Sequence, residues 1–334
     1  MRAMVLDQPA PVEQNPLRFR DISTRKPGRN ELLLQVLACG VCHTDLHIVE
    51  GELPTHKLPV VPGHQIIGKV EEAGELEFQK GQRVGVPWLH TSCGRCEYCQ
   101  RGEENLCENA RFTGYDVDGG YAEYVTVDCR AAYPLPEGYR DDQLAPLLCG
   151  GVIGYRAYRL SGVQKGEVLG LYGFGSSAHL VLQMALWEGV EVFVMTRSPE
   201  HQRLARSLGA SFSGSSENRL PCPLHAAIIF APAGELVLRA LAVLRRGGRV
   251  ITAGIYSSPI PSMDYRFLYQ EHKVQSVTNS TRDDVRGVLA LASHAHFQVE
   301  TELFPLSEAN RVLQLLKTSK VRASAVLQPT EMMS

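Results

Sequence analysis

In the first half of the chain, apolar residues come in short runs cut by glycine and proline. Glu31-Leu-Leu-Leu-Gln-Val-Leu-Ala38 predicts a strand, as do Ile66–Gly74 and Gln82–Pro87. Residues 120–127 alternate and suit a half-buried strand. Prolines at 59 and 62 rule out a helix across Lys57–Gly63. Many short strands with turn signals predict a barrel-like domain over residues 1 to about 150. From Glu167 the period changes. Val168–Tyr172 reads as a buried strand. Ser177–Glu188 follows with a helical apolar face of Val181, Leu182, Ala185 and Leu186. Val190–Met195 is a strand, and Pro199–Leu208 a helix stopped by Gly209. Ala226–Phe230 is a strand, Gly234–Arg246 a helix with basic residues in its last turn, and Gly248–Ile255 a strand. A helix over Leu306–Lys317 and a strand over Ala323–Leu327 close the pattern. Alternation of this kind predicts an α/β fold with a doubly wound parallel sheet.

A chain of 334 residues exceeds what one core comfortably serves, so two domains are expected. The net charge of −2, without a basic run, gives no reason to expect nucleic acid or an anionic membrane. No apolar run reaches the roughly 18–20 residues of a membrane span, and the first residues turn polar too early for a signal peptide. The expected location is cytoplasmic, where thiols stay reduced and clustered cysteines are metal ligands more often than bridges.

Four cysteines then change the picture. Cys93, Cys96, Cys99 and Cys107 follow the spacing C-x2-C-x2-C-x7-C. Four thiolates can close a tetrahedron around Zn2+ and leave no position for water or substrate. Gly94 and Gly102 give the turns backbone freedom. The set reads as a structural staple, with an iron–sulfur cluster as the minority reading and a chance cluster or disulfides as the bland one. A second constellation lies upstream and beyond: Cys42-His43-Thr44-Asp45-Leu-His47, Gly63-His64, and Leu148-Cys149. Cys, His and Cys are ligands suited to a zinc that keeps one position open, which can polarise an alcohol or carbonyl oxygen. Singly, each residue is more often structural. The third constellation is Gly173-x-Gly175-x-x-Ala178, between a predicted strand and a predicted helix. That context lets the backbone approach a dinucleotide pyrophosphate.

Taken together these motifs resemble the zinc-dependent alcohol dehydrogenases of the medium-chain dehydrogenase/reductase superfamily, over essentially the whole length. The resemblance implies a GroES-like β-barrel catalytic domain with a structural zinc lobe over 1–150. It implies a Rossmann domain over 151–280 and a return to the catalytic domain over 281–334. Carried over by position, Cys42, His64 and Cys149 match the catalytic zinc ligands and the four clustered cysteines the structural ones, two zinc ions per chain. Asp45 matches the carboxylate that orients the ligand histidine. Thr44 matches the hydroxyl that takes the substrate's proton, and His47 the outer end of the relay. His43 falls near the cofactor pyrophosphate. Trp88 matches the aromatic wall of the substrate pocket, and Leu53 stands where some relatives carry a second tryptophan. Cys39, Cys129 and Cys222 match no ligand position.

Three departures stand out. Gln65 replaces the usual glutamate after the ligand histidine. Thr196-Arg197 ends the second Rossmann strand, where NAD enzymes carry an acid for the ribose hydroxyls. A hydroxyl and a guanidinium suit a 2′-phosphate, so NADP(H) is expected over NAD(H), with NAD(H) still open. Ser324 occupies the place of an arginine that pairs with the pyrophosphate, and Arg322 lies two residues earlier on the same expected strand face. The expected activity is interconversion of small alcohols with aldehydes or ketones by hydride transfer to or from NAD(P), in a homodimer or homotetramer. The alternative is a weakly active or inactive zinc- and nucleotide-binding redox sensor of the same fold.

Overall fold

The structure, a computed structural model, describes residues 1–73, 78–321 and 324–329. Arg322 therefore lies outside the described residues. The chain divides into two compact units, one of Met1–Cys149, Thr281–Ser293 and Val299–Ser334, the other of Gly150–Ser280 and His294–Gln298. The expected return from residue 281 is thus interrupted by a five-residue stretch grouped with the second unit. Among the described residues no helix is long and apolar enough to cross a membrane.

The first unit is built on a seven-stranded sheet. Its order is Thr301–Pro305, Ser324–Gln328, Glu31–Gly40, Gln65–Glu72, Arg83–Val86, Tyr133–Pro134, with Tyr124–Asp128 also paired to Glu31–Gly40. All pairs are antiparallel except Thr301–Pro305 with Ser324–Gln328. The strand Glu31–Gly40 alternates half-buried and buried positions up to Ala38, so one face feeds the core as the sequence pattern requires. That core gathers Leu34, Val36, Ile66, Val84 and Tyr121. The C-terminal strand pairs Val326 with Gly40 and Leu327 with Cys39, and Ala325 accepts the N–H of Val41 at 2.9 Å. The last strand of the chain therefore holds the end of the strand that delivers Cys42.

The second unit is a six-stranded all-parallel sheet. Numbered along this unit, the strands Val168–Tyr172, Glu191–Met195, Phe212–Gly214, Leu224–Ile229, Leu244–Thr252 and Lys273–Ser276 lie in the order 3-2-1-4-5-6. This is the Rossmann order. The first strand is buried at every position. Leu169 and Leu171 enter one core and Val168 and Tyr172 the other, which is why that run lacks alternation.

One predicted element is corrected. The helix expected over Gly234–Arg246 spans only Glu235–Ala242. Leu244, Arg245 and Arg246 instead open the strand Leu244–Thr252, bent at Gly247 with φ 73°. The basic residues read as helix-end charges belong to an exposed strand start; the one basic residue in the last helical turn is Arg239. Leu306–Lys317 begins with a 3-10 turn, Leu306–Glu308, before the α-helix Ala309–Lys317. The helices His43–Glu50, Gly150–Ser161 and Arg282–Ala295 were not read from the pattern.

Candidate metal centres and nucleotide site

Cys42 ends the approach from Glu31–Gly40 and caps the helix His43–Glu50. Its Sγ accepts the Thr44 N–H at 3.3 Å. Asp45 reaches back from the third helical position and its Oδ2 accepts the Cys42 N–H at 2.9 Å, which completes a reciprocal cap. The other oxygen, Oδ1, lies 3.0 Å from His64 Nδ1. One fully buried carboxylate thus anchors both the Cys42 backbone and the His64 ring. With Nδ1–H donated to Asp45, Nε2 is the nitrogen that faces the Cys42 sulfur and would give up its proton to a metal.

His64 arrives on tightly packed backbone. Gly63 before it has φ 97°, and a Cβ there would lie 2.4 Å from a ring carbon of Tyr121. A Cβ on Gly114 would come within 2.7 Å of the Gly63 nitrogen, and one on Gly119 within 2.0 Å of the Gly63 oxygen. Gly114 and Gly119 must thus lack a Cβ for His64 to be seated, as must Gly63 beside the Tyr121 ring, and sequence reasoning missed Gly114, Gly119 and Tyr121. The Gly119-Gly120 pair just before an alternating run is the signal that could have pointed there. Cys149 follows the 3-10 turn Ala145–Leu148 and is the last residue of the first unit before the chain crosses over.

The three ligand atoms fit a zinc ion. Zinc–sulfur bonds of about 2.3 Å and zinc–nitrogen bonds of about 2.0–2.1 Å give tetrahedral edges of about 3.8 Å between sulfurs and about 3.5 Å between sulfur and nitrogen. The Cys42 and Cys149 sulfurs are 3.8 Å apart, and Cys42 Sγ is 3.5 Å from His64 Nε2. The electrostatics agree. Sharing with Cys149 and burial push the Cys42 thiol well above its ordinary range. Burial would depress the His64 imidazole, but Asp45 and Cys42 outweigh it and hold it up at about 10.

The second group is Cys93, Cys96, Cys99 and Cys107, again with all ligand atoms within 4.8 Å of one another. Cys93 and Cys99 sulfurs are 3.9 Å apart. The Cys96 N–H points at Cys93 Sγ at 3.4 Å and the Cys93 N–H at Cys107 Sγ at 3.5 Å. Gly94 and Gly102 take φ 69° and 73°, the left-handed turns the spacing called for. The N–H groups of Arg95 and Cys96 pull the Cys93 thiol down to about 6. Four thiolates around one ion would leave no open position.

The remaining predicted residues sit as follows. Trp88 meets His64 edge-on at 5.0 Å between ring centroids and stacks on Phe112 at 4.9 Å. Leu53 packs against the core of the first unit. Thr44 lies in the first turn of the ligand helix, and the rings of His43 and His47 are 6.5 Å apart. Gln65 is buried, its Nε2 has no partner, and its Oε1 would clash at 2.6 Å with any Cβ on Gly40. Of the unassigned cysteines, Cys39 is buried and Cys222 exposed, and neither joins a metal group.

In the second unit Gly173 turns at φ 88°, where a Cβ would press on the backbone of Ala231 at 3.0 Å. Gly175 caps the helix Ser176–Trp187, and a Cβ there would meet nothing within 4 Å. That helix has no side-chain cap and no acidic residue in its first turn, and Ala178 is fully buried beneath it. Open space over a bare helix N-terminus is what a pyrophosphate requires. Thr196 is buried at the end of the second strand, its N–H donated to Gly214 at 2.8 Å, while Arg197 beside it is exposed.

Comparison with known proteins agrees with this geometry. Residues 28–137 match the alcohol dehydrogenase GroES-like domain family and residues 178–294 the zinc-binding dehydrogenase family. The chain is 46% identical to a probable alcohol dehydrogenase, AdhA, of Mycobacterium tuberculosis, over 98% of this chain and 97% of that one. It is 34% identical to an alcohol dehydrogenase of Geobacillus stearothermophilus, over 94% and 96%. Among solved structures it resembles a cinnamyl alcohol dehydrogenase of Sorghum bicolor, with TM-score 0.88 and 27% identity over 100% and 99% of the two chains. A thermostable alcohol dehydrogenase of Pyrobaculum aerophilum gives TM-score 0.88 and 26% identity over 98% and 99%. Fold, ligand sets and relatives converge: the chain belongs to the zinc-dependent alcohol dehydrogenases of the medium-chain dehydrogenase/reductase superfamily and is an enzyme of alcohol oxidoreduction.

Proposed function

We propose that the protein interconverts small alcohols with aldehydes or ketones using NADP(H) in preference to NAD(H), with one zinc at Cys42, His64 and Cys149 and a second at the four clustered cysteines. The observation that carries the reading is the three-ligand set, whose separations match a tetrahedral zinc with one position left over. Zinc there would supply a positive charge that polarises the substrate oxygen, and the nicotinamide would supply the redox chemistry. The chain's own residues do the rest. Asp45 holds the His64 tautomer and the Cys42 backbone. The Thr44 hydroxyl takes the substrate's proton, and His47 carries it toward solvent. Trp88, held against Phe112, walls the pocket, and Leu53 in place of a second aromatic ring widens it. Gly173, Gly175 and Ala178 bring the backbone close to the pyrophosphate.

The NADP(H) preference rests on Thr196 and Arg197. No acid ends the strand to repel a 2′-phosphate, and the Arg197 guanidinium is exposed and makes no ion pair with a described residue. A homo-oligomer is supported by the edge of the second unit's sheet. Its last strand, Lys273–Ser276, is exposed along its whole length. Tyr256, Tyr265 and Tyr269 are also exposed, each by about 70%. A reducing, cytoplasmic setting is supported by six of the nine cysteines falling in two candidate metal groups, where thiols must stay reduced to bind.

The test is initial rates on zinc-quantified protein with an alcohol and aldehyde panel, run with both cofactors. The expected result is about two zinc ions per chain and a higher kcat/KM with NADP(H) by roughly tenfold or more. Equal rates with both cofactors would remove the role given to Thr196 and Arg197. No turnover at full zinc occupancy would remove the catalytic reading of Thr44 and His47.

A further inference from the structure

The ligand helix ends in a left-handed turn at Gly51, with φ 75°. There the Gly51 N–H returns to the Ile48 carbonyl at 3.2 Å and the Glu52 N–H to the His47 carbonyl at 2.9 Å. Residue 52 is thus tied to the backbone of residue 47 itself, by a turn that needs glycine between them. The Glu52 side chain folds back over the helix end, and its Oε2 is hydrogen-bonded to His47 Nδ1. The His47 side chain is mostly covered, 21% exposed, while Glu52 remains 57% exposed. Other groups facing this ring do not compete for Nδ1. His43 is 6.5 Å away between centroids, and Glu50 on the same helix is engaged by Lys317 and the Val12 N–H. With Nδ1–H donated to Glu52, Nε2 is the nitrogen free to accept a proton.

We propose that Glu52 is a positioning residue for proton removal: it fixes His47 in the tautomer that presents Nε2 and stabilises the imidazolium formed when that nitrogen is protonated. The inference rests on the reading of His47 as the outer end of the relay. During alcohol oxidation the substrate hydroxyl proton leaves by way of Thr44 and an N–H bond forms at His47 Nε2. The electron pair of the broken C–H bond goes to the nicotinamide as hydride. The imidazolium charge is then balanced by Glu52 until the proton passes to solvent water. Neither Glu52 nor His47 changes oxidation state. Asp45 and His64 form the same carboxylate–imidazole pair on the buried side of this helix, with the ring orientation set in the same way.

The experiment compares wild type with Glu52→Gln, Glu52→Asp, His47→Gln and the double variant His47→Gln/Glu52→Gln. It measures oxidation of ethanol and benzyl alcohol across pH 5.5–9 with both nicotinamide cofactors. Glu52→Gln is expected to keep its zinc and lower kcat/KM about threefold to tenfold. Glu52→Asp should recover most of the rate. The double variant should be no slower than His47→Gln alone, within about twofold, since Glu52 acts only through that ring. Nitrogen-15 NMR of histidine-labelled resting enzyme should show the His47 proton on Nδ1 in wild type and a tautomer mixture in Glu52→Gln. An unmoved tautomer, or a Glu52→Gln loss that persists undiminished in the His47→Gln background, overturns the inference. Full activity of His47→Gln would overturn the relay reading itself, which a null result for Glu52→Gln alone would leave standing.

Discussion

The two metal-ligand groups of this chain share residue chemistry and differ in how they are made. The four cysteines of the lobe come from fifteen consecutive residues, and two left-handed glycines are enough to fold them onto one point. The group of Cys42, His64 and Cys149 comes from three segments, 22 and 85 residues apart. Each of the three is delivered by different backbone: a helix cap, a glycine-packed strand entry and the end of a 3-10 turn. The local group is closed by four sulfurs, whereas the assembled group stops at three ligands. What the dispersed group lacks in chain proximity it recovers through Asp45, a buried carboxylate bonded to two of the three ligand residues. A candidate site with a position to spare is thus held by its surroundings, while a four-sulfur one is held by its own loop.

The largest test of that contrast is to remove one sulfur from each group. Cys149→Ala is expected to lower kcat/KM by about a thousandfold or more with little change in thermal unfolding. Cys99→Ser is expected to do the reverse, with the unfolding midpoint down by about 5 °C or more and activity of the folded fraction within about twofold. Zinc counts, calorimetry and initial rates on the same preparations check both, and similar losses in the two variants would erase the distinction.

Asp45→Asn comes next. It keeps the shape but removes the charge that holds His64 and Cys42, so zinc should bind the three-ligand group about 10–100-fold more weakly while the lobe keeps its ion. Competition with a chromophoric chelator measures this, and unchanged release from both groups would show that Asp45 is not the anchor. Gln65→Glu sharpens the comparison in the other direction. It adds a carboxylate one residue after His64, where the buried amide Nε2 lacks a partner, and zinc retention at the three-ligand group should rise about tenfold with no change at the lobe. Identical chelator kinetics would remove any role for the amide.

The smallest effect concerns the strand leading into the lobe. His90 is buried, and burial together with Arg111 outweighs Asp128 and Glu31 to push its imidazole down to about 4. The neutral ring accepts the Asp128 N–H at 3.4 Å. Between the ordinary histidine range and pH 4 the unfolded chain binds the extra proton, so stability falls as pH falls through that window. At pH 5.5 the loss is about 1 kcal/mol relative to neutral pH. Chemical denaturation should show this slope in wild type and lose it in His90→Gln.

Much of the second unit was legible because its rules are local. The continuous apolar run Val168–Tyr172, the glycine turn after it and the helix face of Val181, Leu182 and Ala185 each report a backbone environment within a few residues. The helix predicted to reach Arg246 failed for a reason of the same kind. Leu244 pairs with Leu224 across the sheet, and that pairing overrode a helical period that carried on through Arg245 and Arg246. In the first unit the ligand residues were readable by spacing and by resemblance. The helix that carries Thr44, Asp45 and His47 was not, because eight residues with two histidines and an aspartate show little apolar periodicity.

By itself the sequence determined which atoms are available and which of them lie close along the chain: four thiols in one loop, a bare glycine turn before a helix, a hydroxyl and a guanidinium where an acid is expected. Only the tertiary structure decided that Asp45 bonds both Cys42 and His64. The same is true of Gly114, Gly119 and Tyr121 crowding the entry to His64, of the C-terminal strand bracing Cys39 and Gly40, and of Glu52 turning back onto His47. The physical reason is one of range. Turns, caps and ligand spacing are set by dihedral preferences over a few residues. A carboxylate shared by two ligands, or a glycine that exists to admit a distant ring, is defined only once close packing has brought separate segments into contact.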